Sequence, residues 1–224
     1  MPFKFTSDMS VEDANKLAEN LGIKHSIIPI GEIYDSFQSS LECEFEGLET
    51  DKTEENLQSR CRGVILMALS NKSGEIVLTT GNKSETAVGY STLYGDTAGG
   101  FGVLKDVPKT LVYELARYRN TISNVIPERI IERPPSAELA PDQQDSDSLP
   151  DYDTLDKIIE LYVEQDKSKK EIEESGVESS ILNRVIRLID LSEYKRRQAP
   201  LGVKITSRGF GKDRRYPITN KFLK

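Results

Sequence analysis

Residues Ile76 to Phe101 read IVLTTGNKSETAVGYSTLYGDTAGGF, and the punctuation of this stretch decides the fold. The short apolar run Ile76-Val77-Leu78 predicts a buried strand. Thr79-Thr80-Gly81-Asn82 breaks the run with turn and capping residues. Asn82 or Ser84 caps a helix that opens at once, and Glu85 falls in its first turn, where the helix dipole favours a carboxylate. A second turn-rich segment follows, from Tyr94 to Gly100. Strand, tight loop and helix N-terminus in that order make a ligand edge, because free backbone N–H groups point outward there. An ordinary strand-to-helix turn is the plain alternative.

On the N-terminal side, Ser10 to Leu21 has helix spacing, with Ser10 or Asp8 as cap and Gly22 as stop. Ile27 to Ile30 is expected as a short edge strand, given Pro29. Gly31 to Phe45 is helical, with Ile33, Phe37 and Leu41 on one face. A strong helix begins at Thr53, its apolar side drawn from Leu57, Cys61, Val64, Ile65, Ala68 and Leu69. Asn56 and Arg60 share a face four residues apart, while Arg62 leaves the other side.

On the C-terminal side, Asp106 is expected to cap a helix with Pro108 near its first turn and Leu111, Leu115 and Tyr118 inward. Lys109 in that first turn opposes the dipole, so either an anion lies nearby or the side chain is simply solvated. Residues 127–141 are proline-rich and irregular. The acidic run from Asp142 to Asp156 either gathers a cation or forms a mobile solvated loop. Helices are expected over Tyr152 to Gln165, Ser168 to Glu174 and Ser179 to Leu191, with Ser168 and Glu171 as a capping box and Gly176 as a helix stop. From Lys195 onward ten basic side chains, including Lys221 and Lys224, face Asp213 alone. Such a tail suits phosphates, or it neutralises an acidic surface of its own or a partner subunit.

The 224 residues suffice for one sizeable domain, or one with a small lobe. A net charge of -7 argues against nucleic acid as a partner. No apolar run reaches the ~18 residues of a membrane span, so no membrane role is expected. Cys43 and Cys61 lack paired spacing and suit reduced thiols of the cytoplasm. His25, the single histidine, excludes a His-based zinc site or triad.

Six stretches carry a more specific signal through their order: Asn56-Leu57-Gln58-Ser59-Arg60-Cys61-Arg62-Gly63, Leu78 to Glu85, Tyr94-Gly95-Asp96, Lys105 to Lys109, Pro135-Ser136-Ala137-Glu138-Leu139, and Glu193 to Gln198. Together they closely resemble the synthetase domain of glutamine-dependent NAD+ synthetases, from Met1 to about Phe222. The resemblance implies an α/β fold: an incomplete Rossmann-like N-type ATP pyrophosphatase, similar to adenine nucleotide alpha hydrolases, with a parallel sheet and a helical C-terminal lobe. Residues 1–141 would form the partial ATP-pyrophosphatase domain. Residues 142–224 would add the acidic loop, helical lobe and basic tail of the same region.

The implied enzyme is a carbon–nitrogen ligase. The nicotinate carboxylate of deamido-NAD+ attacks the α-phosphate of ATP, pyrophosphate leaves, and ammonia displaces AMP to give NAD+. Residue by residue, Thr80, Lys109 and Ser136 match positions that meet ATP. Asn56, Arg60 and Lys195 match positions that hold deamido-NAD+. Glu85 matches an acid that meets either the dinucleotide or Mg2+, so ATP and Mg2+ are the implied cofactors. Ammonia would come from a glutaminase domain not in this chain, and the full enzyme would be a homo-oligomer. Two other readings stand beside it: another N-type ATP pyrophosphatase, and a degenerate non-catalytic partner subunit.

The departures matter equally. The family's Ser-Gly-Gly-x-Asp-Ser loop, which cradles pyrophosphate, does not occur here, nor does the nitrilase-like domain with its Cys. The expectation is a C-terminal piece of a longer enzyme: a truncated reading frame, a shortened version or one product of a split gene. Alone it is expected to bind ATP weakly or not at all. An assay of the isolated chain with ATP, Mg2+, deamido-NAD+ and ammonia is expected to show little turnover; normal turnover would overturn this.

Overall fold

The computed structural model describes residues 1–219. Lys221 and Lys224 of the basic tail, and the end of the resemblance at Phe222, lie outside the described residues.

Helix α1 spans Asp8–Leu21 and is capped by the Ser7 hydroxyl, which accepts from the Ser10 N–H. Ser10 and Asp8, the expected caps, therefore sit inside its first turn. Gly22 ends the helix at φ 62, a left-handed conformation that glycine adopts without a Cβ clash. The expected strand at Ile27 to Ile30 does not form. The Ile30 N–H donates to the Pro2 carbonyl at 3.1 Å, and the Ile30 side chain is buried beside Tyr34 and Cys61. Ile30 is thereby the residue that starts α2, Gly31–Leu41. That helix turns Tyr34 inward and leaves Ile33 and Phe37 exposed, so the expected face is rotated.

Helix α3, Lys52–Ser73, opens with a reciprocal capping box between Asp51 and Glu54. Its buried residues are Gln58, Ser59, Cys61 and Gly63; of the expected apolar row Cys61 is buried and Leu57 and Ile65 pack beside it, while Val64 is 63% exposed. Close approach of backbone explains this. A Cβ on Gly63 would lie 2.6 Å from the Tyr94 carbonyl oxygen, so the helix seats its small, polar side on the loop after α4.

The central sheet is short. Strand β1, Leu78–Thr79, pairs in parallel with β2, Phe101–Gly102, in the register Leu78 to Phe101 and Thr79 to Gly102. Only Thr79 of β1 is buried, while Ile76 is 63% and Leu78 55% exposed, which corrects the expectation of a buried strand. The Gly102 N–H donates to the Leu201 carbonyl at 2.7 Å, so the tail lies along the free side of β2.

Helix α4, Lys83–Val88, starts at Asn82 with Glu85 closing the capping box, and Gly89 stops it. Helix α5, Lys109–Ile122, is not capped by Asp106. Its first N–H groups go to other elements: Lys109 donates to Ser84 Oγ at 2.8 Å and Thr110 to Asp156 Oδ2 at 2.9 Å. Leu115 and Tyr118 are exposed rather than inward. The proline-rich stretch holds a short helix, α6, Glu128–Glu132, tied to α1 by the Arg129 fork on Asp13.

The acidic run is built into the fold. A single tight turn spans Asp145–Asp147, Asp145 is buried, Asp151 caps α7, and Asp156 caps α5. Among the described residues no cluster of three or more acidic, His or Cys side chains could hold a metal ion. Helix α7, Tyr152–Ile159, widens into a π-turn over Glu160–Glu164. Helices α8, Lys169–Glu174, and α9, Ser179–Leu191, follow, with Ser168 and Glu171 in the expected box. Helix α10, Glu193–Arg196, completes the order.

The main core joins Ala87 and Val88 of α4 to Leu155, Ile158, Val163, Ile172, Leu182, Val185 and Ile189. The helical lobe therefore packs directly under the helix that follows β1. Many tail cations are spent within the chain, Arg208 and Arg214 on Asp166, Lys204 on Asp213, and Arg196 and Arg197 on Glu193.

One buried charge binds these layers. Lys83 is 0% exposed, and its ammonium reaches Glu164 at 2.7 Å, Asp106 at 3.1 Å and the Arg208 carbonyl at 3.1 Å. Burial alone would push the Asp106 carboxyl up. Donation from the Thr206 and Ile205 N–H groups and the Thr206 hydroxyl, with the Lys83 charge, outweighs burial and holds it below its ordinary 3.8.

Replacing Lys83 by Met leaves the buried Asp106 and the partly buried Glu164 carboxylates without their cation, and is expected to cost about 3–5 kcal/mol in urea unfolding. A loss within error of zero would show that the network is idle. Because the Asp106 value is depressed in the fold, its contribution is present above 3.8 and fades as pH falls through the lowered value. The gap in urea midpoint between the unmodified chain and Asp106→Asn is therefore expected to be full at about pH 6 and to close in acid.

Candidate active site

Loop Thr80-Gly81 leads from β1 into α4, and the capping box there fixes Glu85. Asn82 Oδ1 accepts from the Glu85 N–H at 3.0 Å, while Glu85 Oε1 takes the Lys109 ammonium at 3.0 Å. This answers the awkward position of Lys109 in the first turn of α5. Glu85 supplies the anion, and the Tyr152 ring lies 5.3 Å from the ammonium. Burial works to lower the Lys109 value, but the Glu85 carboxylate outweighs it and raises the value above its ordinary 10.5. Lys109 is thus a cation throughout the neutral range.

The opposite wall comes from α3 and the loop after α4. Asn56 Oδ1 accepts from the Thr92 hydroxyl at 2.8 Å, and Asp96 accepts from the Thr92 N–H at 2.6 Å and from Ser59 Oγ at 3.2 Å. Lys195 crosses from α10 and donates to the carbonyls of Gly89 at 2.7 Å and Ser91 at 2.6 Å. Burial pulls the Lys195 value down, with Asp96 opposing. The third wall is the 135–148 loop. There Ser136 Oγ donates to the Gln143 carbonyl and accepts from the Glu138 N–H at 3.0 Å.

These walls enclose one hollow of about 890 Å³. Asn56, Thr80, Glu85, Lys109, Ser136 and Lys195 all line it. Arg60 does not line it; this side chain is exposed and donates to the Leu93 carbonyl at 3.2 Å. Arg62 lines the hollow in its place. The signal was available: Asn56, Ser59 and Arg62 recur every three residues, whereas the four-residue spacing favoured Arg60. Asp96, Arg133 and Asp145 also line the hollow. Asp145 was hidden by the acidic run around it, and Arg133 by the proline-rich stretch.

The Lys109 ammonium beside Glu85 and the hydroxyls of Thr80 and Ser136 suit a polyanion at one end; the N–H groups of Asn82, Lys83 and Glu85 at the mouth of α4, expected to point outward, are taken instead by Glu85, the Val107 carbonyl and Asn82. Amide, carboxylate and ammonium groups at Asn56, Asp96 and Lys195 suit a polar second ligand at the other. For Mg2+ the donor set is sparse but usable. The ion is commonly held by one or two carboxylates together with substrate phosphates, and Glu85 offers one.

Comparison with known proteins agrees with this architecture. The NAD synthase family model matches residues 1–199. The glutamine-dependent NAD(+) synthetase of Acinetobacter baylyi is 56% identical over 222 residues, which are 98% of this chain and 41% of that protein. The chain thus spans well under half the length of the curated relatives it matches. The solved glutamine-dependent NAD+ synthetase of Acinetobacter baumannii, in complex with adenosine diphosphate, superposes with a TM-score of 0.60 at 50% identity, over 97% of this chain and 39% of that one. A glutamine-dependent NAD(+) synthetase from Cytophaga hutchinsonii gives a TM-score of 0.78 at 25% identity, over 97% of this chain and 38% of that one. The helical fold around a small parallel sheet is therefore that of the N-type ATP pyrophosphatases. With nine-tenths of its length matched, the chain belongs to the NAD synthase family.

Proposed function

We propose that this chain provides the synthetase region of a glutamine-dependent NAD+ synthetase, in which ATP activates the nicotinate carboxylate of deamido-NAD+ for amidation. One observation carries the proposal: six of the seven residues assigned to the two substrates line a single hollow. Thr80, Lys109 and Ser136 take ATP. Asn56, Glu85 and Lys195 take deamido-NAD+, with Arg62 nearer to that role than Arg60.

The chemistry fits the groups. Attack of a carboxylate on an α-phosphate crowds negative charge, and fixed cations lower that barrier by stabilising the charge where it develops. Lys109 is held in place by Glu85 before any ligand arrives, so little reorganisation is needed. Mg2+ on the phosphates would neutralise further charge, with Glu85 as its protein ligand. Lys195 is fixed by two carbonyls, and an ammonium has a third N–H to offer. Ammonia is supplied by a glutaminase domain outside this chain. The exposed Val64, Met67 and Leu69 of α3 support a homo-oligomer in the full enzyme.

Because the pyrophosphate-cradling loop is not part of this sequence, the isolated chain is expected to hold ATP weakly but at this hollow. An isotope-labelled chain titrated with ATP and Mg2+ should show amide shifts at Thr80, Lys109 and Ser136. Deamido-NAD+ should shift Asn56 and Lys195. Shifts confined to other surfaces, or none at saturating nucleotide, would overturn the assignment. Lys109→Met removes a charge-assisted contact and is expected to weaken ATP roughly tenfold or more, with deamido-NAD+ little changed.

A further inference from the structure

Five cations line the hollow: Lys52, Arg62, Lys109, Arg133 and Lys195. Four of them are spent within the chain. Lys52 pairs with Glu55 at 2.8 Å and Lys109 with Glu85 at 3.0 Å. Arg133 pairs with Glu138 and donates to Ser10 Oγ at 2.6 Å. Lys195 donates to the Gly89 and Ser91 carbonyls. Arg62 is the exception. Its Nε donates to the Met1 carbonyl at 3.0 Å. Its terminal nitrogens, Nη1 and Nη2, have no hydrogen-bond or ion-pair partner among the described residues, and neither is sealed from solvent. The side chain is half-buried, so its charge has lost part of its hydration without gaining a counter-ion. Burial pulls the Arg62 value below its ordinary 12.5, with Cys61 and Glu138 opposing, neither of them bonded to it.

We infer that Arg62 is the anion-pairing residue for the dinucleotide, its two terminal nitrogens taking two oxygens of one anionic group, the nicotinate carboxylate or a phosphate. The inference rests on the assignment of deamido-NAD+ to the Asn56 wall of the hollow.

A guanidinium offers N–H donors and no acceptor, so its partner must bring oxygens, and an anionic pair of them serves best. The fork is set in advance. Nε is fixed on the Met1 carbonyl, which orients the guanidinium plane and leaves Nη1 and Nη2 side by side. Two parallel N–H groups match two oxygens of a carboxylate or phosphate, a fit that a lysine ammonium cannot make. Position favours the dinucleotide over ATP. Asn56, Ser59 and Arg62 recur every three residues on α3, so Arg62 lies about 9 Å along the helix axis from Asn56, on the same wall. Lys109, assigned to the ATP phosphates, approaches from α5 and already carries the Glu85 carboxylate. An anion at Arg62 meets a charge that nothing else in the hollow has neutralised.

The test uses the full chain, isotope-labelled and titrated with deamido-NAD+, with ATP, and with NAD+, where an amide replaces the carboxylate. Dissociation constants come from amide shifts, and the Arg62 guanidinium signals are followed in the same spectra. Deamido-NAD+ is expected to move those guanidinium signals in the unmodified chain, and ATP to leave them in place. Arg62→Gln, checked for folding by its thermal melt, is expected to bind deamido-NAD+ roughly tenfold or more weakly, because a charge-assisted pair is lost, and ATP as before. If the substitution leaves NAD+ binding untouched, the partner is the carboxylate; if NAD+ weakens equally, it is a phosphate. A purely structural role would weaken all three ligands in parallel, and that result overturns the inference. So does a loss confined to ATP, unaltered binding of deamido-NAD+ by Arg62→Gln, or a guanidinium that stays silent at saturating deamido-NAD+. The last needs no variant, so a poorly folding Arg62→Gln still leaves the inference open to refutation. In each of these cases shifts at Asn56 and Lys195 keep the dinucleotide assignment standing. Their absence at saturation overturns that assignment, and the inference falls with it.

Discussion

The ammonium of Lys83 has no solvent around it, and the rest of the site depends on that fact. It sits at the start of α4, where the helix dipole is least hospitable to a cation. Two carboxylates, Asp106 and Glu164, compensate it from different layers. Asp106 precedes α5 and anchors the backbone of residues 205 and 206, while Glu164 closes the π-turn after α7. One buried charge therefore sets the relative positions of the helix after β1, the helix bearing Lys109, the helical lobe and the tail. Arrangements of this kind contribute little net stability when complete, yet are very costly to break, so they specify geometry more than they add strength.

The same economy recurs at the mouth of α5. That helix lacks a capping residue of its own, since Pro108 has no side-chain oxygen. Ser84 and Asp156 take its first N–H groups from two neighbouring helices. A conventional local cap would have fixed α5 to its own loop. Borrowed caps fix it to α4 and α7 instead, and place Lys109 against Glu85 as a result. On the other wall, absent side chains do comparable work. Gly63 and Gly95 let α3 touch the 92–97 loop, and Asn56 and Ser59 then reach Thr92 and Asp96.

Much of this was legible in the sequence, and the failures share a cause. The capping box at Ser168 is local chemistry and formed as read, and of the two caps offered for α4 it is Asn82 that serves, closing a box with Glu85. Helix spacing located α1, α3, α5 and the helices of the C-terminal lobe. Faces were harder. Apolar periodicity assumes that a helix buries its greasiest side, and α3 buries Gln58, Ser59 and Gly63 because a loop backbone lies against it. Ile76 and Leu78 read as core residues for the same reason, yet lie exposed. Asp106 looked like a helix cap by position, but its partners are about a hundred residues away in the chain, beyond the reach of any local pattern. In the site, ordered motifs found six lining residues. Arg62 and Asp145 escaped because each sat beside a more conspicuous neighbour of like charge.

The tail also bears on how such a molecule assembles. Thr206 Oγ meets the Lys83 ammonium across 123 residues of chain, and Leu201 pairs with β2 across about a hundred. Closing contacts so distant in sequence is entropically slow, and here they complete the floor beneath the β1–α4 turn. On a ribosome, α4 emerges long before its counter-strap does. Until residue 206 is made, Lys83 has no dry place to go, and the nascent site stays open and hydrated.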